Sequence, residues 1–420
     1  MKSHTIAEKI LARAANLDEV WPGDHIICKV DMAMAHDMGT PSIIKYFEEM
    51  GVKEVWDPSK IVCVMDHIAP SHHIADADSK VSIRKFIQNV GIKNFYDVGS
   101  GISHNVLPEY GHIRPGELVV GTDSHTTSHG AFGAAGTGLG YTDMAYVLAT
   151  GETWLRVPET IKFEFNGEFS RGVGAKDLIL HIAGEFGTDF GQYKSIEYTG
   201  GPIDLMGLDD RFMFPNMSIE LGAKFGFTPV DSKVTEYIDK RTDIPYKPEY
   251  ADEDAEYLQV HRMDVSKIDP KISTPHKVGN VVGVGEVENI ELDQVFIGSC
   301  TNGKFEDLKI AAEILNGNEV NKNTRLIVTP ASRAVYSRAL KEGIIEVLTN
   351  AGAVVTNSTC GACVGRGMGI IGEGEVCLAA MNRNFRGRMG SYESEIYLSS
   401  VATAATSAIT GSITDPRREL

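Results

Sequence analysis

Short apolar runs alternate with helical patterns along the first 157 residues. The runs predict strands, and they lie at 25–31, 60–67, 94–104 and 117–125. Apolar residues at helical spacing fill the intervals, at the N-terminus and at 43–50 and 81–91. Strands separated by helices of this length are typical of βαβ units, so this part is predicted to form a largely parallel sheet.

The pattern changes near residue 158. Residues 160–169 alternate apolar and polar positions, which predicts a half-buried strand. Helical patterns follow at 175–187 and 216–226, and the charge- and proline-rich stretch 239–275 is typical of a long surface connection. These features predict a second domain.

Strand–helix alternation returns at about residue 278. Apolar runs at 295–297 and 354–356 flank helical patterns at 304–317 and 331–343. A chain of 420 residues is too long for one apolar core. We therefore predict an α/β protein with mostly parallel sheets in three domains, 1–157, 158–277 and 278–420.

The composition is that of a globular protein, with 42% hydrophobic and 23% charged residues. The formal net charge of −17 argues against sequence-independent nucleic-acid binding, which depends on Lys and Arg against phosphate. The N-terminal segment lacks the apolar stretch of a signal peptide, and no apolar run reaches about 18 residues. We expect a cytoplasmic protein without a membrane span.

Histidine and aspartate follow three predicted strands of the first domain. Asp66 and His67 follow one strand, His104 follows the next, and Asp123 and His125 follow the third. A capped helix or a satisfied turn is the alternative explanation for each one alone. Because carboxyl ends of parallel strands share one sheet edge, the three together favour a catalytic group.

Three cysteines follow short apolar runs of the third domain. They are Cys300 and the CxxC pair of Cys360 and Cys363. Three thiolates are one short of a closed four-ligand site, which favours a metallocluster with an open position. A zinc site completed by histidine and an inert buried set are the alternatives. The other cysteines, Cys28, Cys63 and Cys377, lie inside strand patterns and are predicted to be structural.

Other polar residues suggest a site for an anion. Arg383 and Arg388 flank an Asn-Phe-Arg-Gly turn, and arginine binds carboxylates bidentately. Asn216 and Glu220 lie four residues apart, so on a helix they share one face. Solvated surface side chains are the alternative in both cases.

The segment 298–304 is nearly a phosphate-binding loop. GSCTNGK matches G-x-x-x-x-G-K, but Phe305 stands where the Mg²⁺-binding hydroxyl should follow Lys304. A nucleotide-binding module therefore remains only as an alternative.

Together these motifs resemble the aconitase superfamily, in particular the large subunits of its two-subunit enzymes of the 3-isopropylmalate dehydratase type. The resemblance covers nearly the whole chain. The matching motifs are AHDMGTP, MDHIAP, GISHNVLPE, GTDSHTTSHGAFG, NMSIELGA, FIGSCTNG, CGACVGRGMG and NRNFRGRMGS. It implies three α/β domains around one central [4Fe–4S] cluster, held by Cys300, Cys360 and Cys363, with one iron lacking a protein ligand.

The resemblance also implies roles for the other residues. The activity would be the dehydration and rehydration of a malate-type 2-hydroxy diacid, with the open iron as Lewis acid. His67, oriented by Asp66, would assist the departing hydroxyl. The other implied roles are a hydrogen-bond network (His104, Asp123, His125, Glu220), substrate carboxylate binding (His36, Ser124, Arg383, Arg388) and positions beside the cluster (Asn216, Asn382).

Single-chain members of the superfamily carry a further swivelling domain that supplies a serine base and another arginine. Few residues follow the predicted helix 400–411, so we expect a separate small subunit to complete the site, in a heterodimer or heterotetramer. Departures from the family pattern are modest, such as Ala362 where many relatives have proline. They leave open 3-isopropylmalate, as in leucine biosynthesis, homoaconitate, and citramalate or 2,3-dimethylmalate as substrate. A zinc-dependent hydrolase using the His and Asp strand ends is the alternative of another class.

Overall fold

A computed structural model describes residues 3–418. The strands are β1 (His25–Lys29), β2 (Met32–His36), β3 (Ile61–Val64), β4 (Asn94–Tyr96), β5 (Leu118–Gly121), β6 (Ala135–Gly138), β7 (Glu152–Arg156), β8 (Thr160–Asn166), β9 (Ser195–Gly200), β10 (Phe225–Phe227), β11 (Gln259–Asp264), β12 (Lys271–Ser273), β13 (Val281–Gly283), β14 (Gln294–Ile297), β15 (Arg325–Val328), β16 (Val354–Val355), β17 (Val376–Ala380) and β18 (Glu395–Leu398).

The helices alternate with these strands. The α-helices are α1 (Ile6–Ala15), α2 (Thr40–Glu49), α3 (Ile74–Val90), α4 (Ser103–Glu109), α5 (Tyr141–Thr150), α6 (Ala175–Phe186), α7 (Gly201–Leu205), α8 (Leu208–Arg211), α9 (Met213–Ser218), α10 (Ser232–Asp239), α11 (Ser299–Asn302), α12 (Phe305–Leu315), α13 (Arg333–Lys341), α14 (Ile344–Asn350) and α15 (Val401–Thr410). Short 3-10 helices lie at Pro58–Lys60, Ser124–Phe132, Ile219–Leu221, Val265–Lys267, Val284–Glu286, Gly361–Val364 and Pro416–Arg418.

The first sheet has five parallel strands in the order β4-β3-β2-β5-β6. Ala33 and Cys63 lie in one apolar cluster with Phe47 of α2, whereas Met34 and Val62 lie in another cluster. Apolar side chains therefore cover both faces, which explains the continuous apolar runs. The carboxyl ends of the strands share one edge, as the sequence predicted.

The strand predicted at 25–31 exists as β1, but its predicted place in the parallel sheet is wrong. β1 ends at Lys29 and pairs antiparallel with β7, outside the five-stranded sheet. The sheet instead takes β2, whose residues Met-Ala-Met-Ala-His are all buried. Alanine and methionine favour helices intrinsically, and burial between two layers overrides that preference here.

The other two sheets support the rest of the chain. The order β10-β9-β8-β11 forms a parallel four-stranded sheet, and β13-β12-β18-β17-β14-β15-β16 forms a seven-stranded one. In the larger sheet only the pairings of β12 are antiparallel. The predicted α/β class with mostly parallel sheets is confirmed, whereas the three domain boundaries remain a prediction.

Two local predictions of the middle part are wrong. The stretch 239–275 is not only a surface connection, because β11 within it pairs with β8. β11 is a half-exposed edge strand, so its residues carry little apolar signal. The predicted helix 216–226 also ends early, at Leu221, since Gly222 adopts a left-handed conformation with φ 84°, and β10 follows.

One apolar cluster joins the four-stranded sheet to a face of the seven-stranded sheet. It contains Phe163 and Phe214 on one side and Phe296 and Ile327 on the other. Cys360 and Cys363 belong to this same cluster. Burial of each such phenylalanine contributes about 1.5–3 kcal/mol, so the turn that carries the cysteine pair is held by substantial apolar contact. Among residues 3–418, no helix has the length and apolar character needed to cross a membrane.

Candidate active site and metal centre

A cavity of about 250 Å³ lies between the carboxyl edges of the five-stranded and seven-stranded sheets. Residues that follow β2, β3, β5, β14, β16 and β17 all line it. Twelve of the fifteen predicted site residues are in the lining: His36, His67, His104, Asp123, Ser124, His125, Cys300, Cys360, Cys363, Asn382, Arg383 and Arg388. The remaining three, Asp66, Asn216 and Glu220, hydrogen-bond to lining residues. The structure therefore brings the whole predicted set together.

His67 lies between two carboxylates. Its Nδ1 is 2.7 Å from Asp66 Oδ1, and its Nε2 is 3.3 Å from Asp123 Oδ2. Burial opposes a charged ring, but Asp66 and Asp123 outweigh it and hold the pKa of His67 well above its usual value. His67 is therefore an imidazolium whose two N–H groups are both oriented by acidic side chains.

Asp123 collects three donors at the carboxyl end of β5. Its Oδ1 accepts from His104 Nε2 at 3.0 Å and from the main-chain N–H of His125 at 2.7 Å. Burial would raise the pKa of Asp123, but the hydrogen bonds from His104, His125 and His67 hold it well below the usual value. His104 itself lies in α4, eight residues beyond the end of β4, and not directly at a strand end as predicted.

A second polar chain runs from His125 through Glu220 to Arg383. Glu220 Oε1 accepts from His125 Nε2 at 2.8 Å and from Arg383 Nε at 2.7 Å. Arg383 Nη2 also donates to Ser124 Oγ at 3.0 Å. Burial opposes the charge of Glu220, yet Arg383 and His125 keep the pKa of Glu220 below its usual value. The network therefore joins segments that connect the strands of three different sheets.

His36 ends β2 and stacks on His67, with ring centroids 4.2 Å apart. Burial, reinforced by the charge of His67, lowers the pKa of His36 to about 4, so this ring is neutral at pH 7. Its Nδ1 accepts the main-chain N–H of Gly39 at 3.3 Å. The proton of the neutral ring therefore resides on Nε2, which makes that nitrogen a donor.

Cys300 is placed by a sharp turn after β14. Ser299, just before it, has φ 70°, a left-handed conformation that is uncommon for serine and often marks functional sites. Asn216 Nδ2 donates to Cys300 Sγ at 3.0 Å. Residues 124–132 pack against α9, which carries Asn216. They also approach β10, and Gly130 is required there because a Cβ would be 1.6 Å from the carbonyl oxygen of Gly226.

Cys360 and Cys363 lie in the turn after β16. The main-chain N–H of Cys360 donates to the carbonyl of Asp66 at 2.8 Å, which ties the cysteine pair to the histidine network. A hydrogen bond with Cys360 lowers the pKa of Cys363 to about 5, helped by the nearby Arg388, while the pKa of Cys360 is well above normal. The hydrogen bond within the pair and the nearby Arg388 therefore both favour negative charge at Cys363.

Two of the three thiols lie beside one amide, that of Asn382. Its Oδ1 lies 3.9 Å from the Sγ atoms of Cys300 and of Cys363, and its Nδ2 donates to Asn216. Arg388 Nη2 is also 3.9 Å from Cys363 Sγ, and Arg388 Nε is buried without a hydrogen-bond partner among the described residues. Three buried thiols within one cavity, flanked by amide donors and a cation, fit a cysteine-bound iron–sulfur group.

The other three cysteines are buried within strands, as predicted. Cys28 lies in β1, Cys63 in β3 and Cys377 in β17. Burial raises the pKa of each thiol to about 12. All three belong to apolar clusters and none of them lines the cavity, which agrees with a structural role.

Lys304 does not line the cavity. Its side chain is buried, and its ammonium lies 3.0 Å from the ring centroid of Phe212. This cation–π contact engages the charge that a phosphate-binding loop would present to a nucleotide. The geometry therefore does not favour the nucleotide-binding alternative.

His36, Asp37 and His67 form a second group with metal-ligand geometry, their ligand atoms lying within 4.8 Å of one another. However, Asp37 already accepts the main-chain N–H groups of His67 and Ile68, at 2.9 and 3.0 Å, and pairs with Lys80 at 3.3 Å. Its carboxylate is engaged in positioning His67. The zinc-hydrolase alternative thus gains no support from this group.

Sequence reasoning missed Asp37, Ser128 and Lys176. Asp37 directly follows β2, so the strand-end argument would have found it had β2 been predicted. Ser128 Oγ accepts from Asn216 Nδ2 at 2.7 Å, and Lys176 Nζ donates to Asn302 Oδ1 at 3.0 Å. These last contacts join distant segments, and no local sequence signal indicates them.

Comparison with known proteins gives a consistent result. The family model described as the aconitase family (aconitate hydratase) matches residues 8–411. The chain is 52% identical to the 3-isopropylmalate dehydratase large subunit 1 of Methanopyrus kandleri, over 98% of this chain and 99% of that protein. It is 46% identical to a probable methanogen homoaconitase large subunit of Methanothermobacter thermautotrophicus, over 100% and 99%. Among solved structures, aconitase X of Thermococcus kodakaraensis matches with a TM-score of 0.53 and 14% identity over 92% of each chain, which indicates a shared fold alone.

Proposed function

The chain belongs to the aconitase family, and on that premise we propose that it is the large subunit of a 3-isopropylmalate dehydratase. Such an enzyme is a hydro-lyase that dehydrates and rehydrates a malate-type 2-hydroxy diacid. One observation carries the proposal: three buried cysteine thiols, a His67–Asp123–His104 network and two arginines line a single cavity.

Cys300, Cys360 and Cys363 would hold one [4Fe–4S] cluster. The thiolate already favoured at Cys363, and the donors from Asn216 and Asn382 to Cys300, suit sulfur atoms that carry negative charge. When bound, a cluster with one iron free of protein ligands supplies a Lewis acid for the substrate hydroxyl and carboxylate. Hydroxide is a poor leaving group, so its departure would need such a Lewis acid.

The histidine network would handle protons. His67, charged and held by Asp66 and Asp123, is suited to donate a proton to the departing hydroxyl. Asp123 then stays ionised, because His104 and His125 continue to donate to it. His104, Asp123, His125 and Glu220 would together orient the water and the substrate.

Charged and neutral donors would bind the substrate carboxylates. Arg383 and Arg388 offer guanidinium groups, which bind carboxylates bidentately. His36 offers an Nε2–H donor from its neutral ring, and Ser124 offers a hydroxyl. The two guanidinium groups would give a chain whose net charge is −17 a locally positive site for a dianionic substrate.

A partner subunit would complete the site. The relatives are named large subunits, which implies a small subunit, and Asp123, the one carboxylate in the described lining, already accepts from His104 and His125. We propose that the small subunit supplies this base and part of the choice among substrates. The same reasoning keeps homoaconitate as a second candidate substrate, because a relative with that name is 46% identical.

The test is co-expression with the candidate small subunit, anaerobic reconstitution with iron and sulfide, and assay on the competing diacids. We expect a brown, oxygen-sensitive protein that turns over 3-isopropylmalate faster than homoaconitate, citramalate or 2,3-dimethylmalate. A colourless protein with stoichiometric zinc would contradict the cluster. Full turnover by the reconstituted chain alone would contradict the need for a partner.

A further inference from the structure

Lys176 is a buried cation next to the cysteines that none of the roles above uses. It is the second residue of α6, and 3% of its surface is exposed. Its Nζ donates to Asn302 Oδ1 at 3.0 Å and to the main-chain carbonyl of Met381 at 2.6 Å. Asn302 follows Cys300 by two positions, and Met381 precedes Asn382. One ammonium thus joins the two segments that bring Cys300 and Asn382 together.

No carboxylate of the described residues lies within ion-pair distance of Lys176. The nearest acidic neighbours are engaged elsewhere. Asp177 accepts the main-chain N–H groups of Gly174 and Lys271, and Asp307 accepts from Asn302 and from the main-chain N–H of Lys304. A buried ammonium without a paired anion is costly, so it persists only where other negative charge offsets it.

Asp307 has the largest charge effect on Lys176, and the sulfur atoms of Cys363 and Cys300 have the next largest. Both sulfur atoms lie close enough to favour the protonated form of Lys176, although burial lowers its pKa to about 8. At pH 7 the side chain therefore remains a cation. Cysteines bind a metal as thiolates, so the three cysteines carry more negative charge with a metal bound than without one. The cation is thus better matched to the loaded centre than to the empty one.

We propose that Lys176 is a positioning residue for the metal centre, which joins its two carrier segments and offsets the negative charge of its thiolates. This inference rests on the cluster of the proposed function. Net charge and hydrogen bonding around a cluster set its reduction potential and its retention. Lys176 should therefore affect both properties without touching the substrate.

The test compares Lys176→Met, which removes the charge and both hydrogen bonds, with Lys176→Gln, which removes the charge but keeps a donor. Lys233→Met is the control, since Lys233 also donates to main-chain carbonyls, those of Asp204 and Met206, but is exposed and far in sequence from the cysteines. Full-length chains are reconstituted anaerobically. Iron retention against a chelator, the reduction potential of the bound cluster and the thermal unfolding of the metal-free chain are measured.

Both Lys176 variants should lower iron affinity, by about 10-fold or more as is typical of outer contacts to a metal site. Both should also shift the reduction potential to more negative values, while the Lys233→Met chain matches the wild type. An unchanged potential in the loaded fraction of Lys176→Gln overturns the charge role, whatever the yield of folded protein. Loss of metal-free stability in both variants with unchanged iron affinity would make the role purely structural. If the wild type itself takes up no iron, the cluster of the proposed function fails instead.

Discussion

The carbonyl oxygen of Asp66 accepts the main-chain N–H of Cys360 at 2.8 Å. The same oxygen accepts from Thr359 Oγ1 at 2.6 Å, while the Asp66 side chain holds His67 Nδ1 at 2.7 Å and the main-chain N–H of Ser103 at 2.7 Å. One fully buried residue therefore connects His67 to the cysteine pair. The carbonyl of Asp66 holds the cysteine segment, and its side chain holds His67.

Asp66→Asn should lower kcat by about 10²–10⁴-fold, the range typical of a positioned acid or base. The carbonyl contacts to Thr359 and Cys360 stay, so iron content should stay as well. The amide, however, no longer stabilises the charged form of His67. Activity with the small subunit and iron content per chain are the measurements. The control is Asp57→Asn, whose carboxylate caps an exposed turn at Ser59 and should leave both unchanged. Equal loss of iron and activity in Asp66→Asn would contradict a role in catalysis.

The six cysteines should divide into two sets. Alanine at Cys300, Cys360 or Cys363 should reduce bound iron to background after reconstitution, because three thiolates are the whole proposed ligand set. Alanine at Cys28, Cys63 or Cys377 should keep full iron content and cost only about 1 kcal/mol of stability, as for a small cavity in a core. Iron and sulfide analysis of all six variants checks this. Retention of a complete cluster in any variant of the first set would refute the ligand assignment.

Arg383→Lys should raise KM more than it lowers kcat. Lysine keeps the charge but loses the planar fork that contacts Glu220 and Ser124 and that would bind a carboxylate. Loss of one charge-assisted hydrogen bond, worth about 1.5–3 kcal/mol, corresponds to a rise of about 10- to 100-fold. Arg386→Lys is the matched control. Arg386 lies in the same turn but is exposed, and its ion pair with Glu393 is long, at 3.8 Å. Steady-state kinetics on the same substrate should separate the two, and similar KM values for them would count against the carboxylate role.

Local sequence pattern was sufficient for the His67 and Asp123 parts of the site. Each follows an apolar run buried on both faces, and parallel strands necessarily present such ends at one edge. The pattern failed at β2, where alanine and methionine gave no strand signal, so His36 was found only through family motifs and Asp37 was missed.

The spacing of Asn216 and Glu220 correctly predicted that their side chains face the same way, although the helix predicted there is partly wrong. The predicted long helix stops at Gly222, yet α9 and the 3-10 turn after it still turn both side chains to the cavity network. Lys176 was not predicted at all. Its partners Asn302 and Met381 lie more than one hundred residues away along the chain. The contacts of this lysine can therefore be seen only in the three-dimensional structure.

Asp177 should give the protein a measurable pH dependence of stability. Burial raises its pKa to about 6, although the main-chain N–H groups of Gly174 and Lys271 donate to it. The usual value in an unfolded chain is about 4, so the folded state binds this proton more tightly. The stabilising contribution is therefore complete below pH ~4 and is lost as the pH rises to about 6. Asp177→Asn removes this titration together with one acceptor.

The free energy of unfolding of the wild type, relative to Asp177→Asn, should fall by about 1.4 kcal/mol per pH unit between pH ~4 and ~6, and be constant above. The lost acceptor shifts the whole difference by a constant, so only its slope reports the titration. Asp231→Asn is the control of opposite sign, because Arg211 outweighs burial and holds the pKa of Asp231 below its usual value. Its contribution is lost only as the pH falls below about 4, so its difference curve should be flat across the same window. Denaturant unfolding at several pH values measures both curves, and parallel profiles for the wild type and Asp177→Asn would exclude a raised pKa at Asp177.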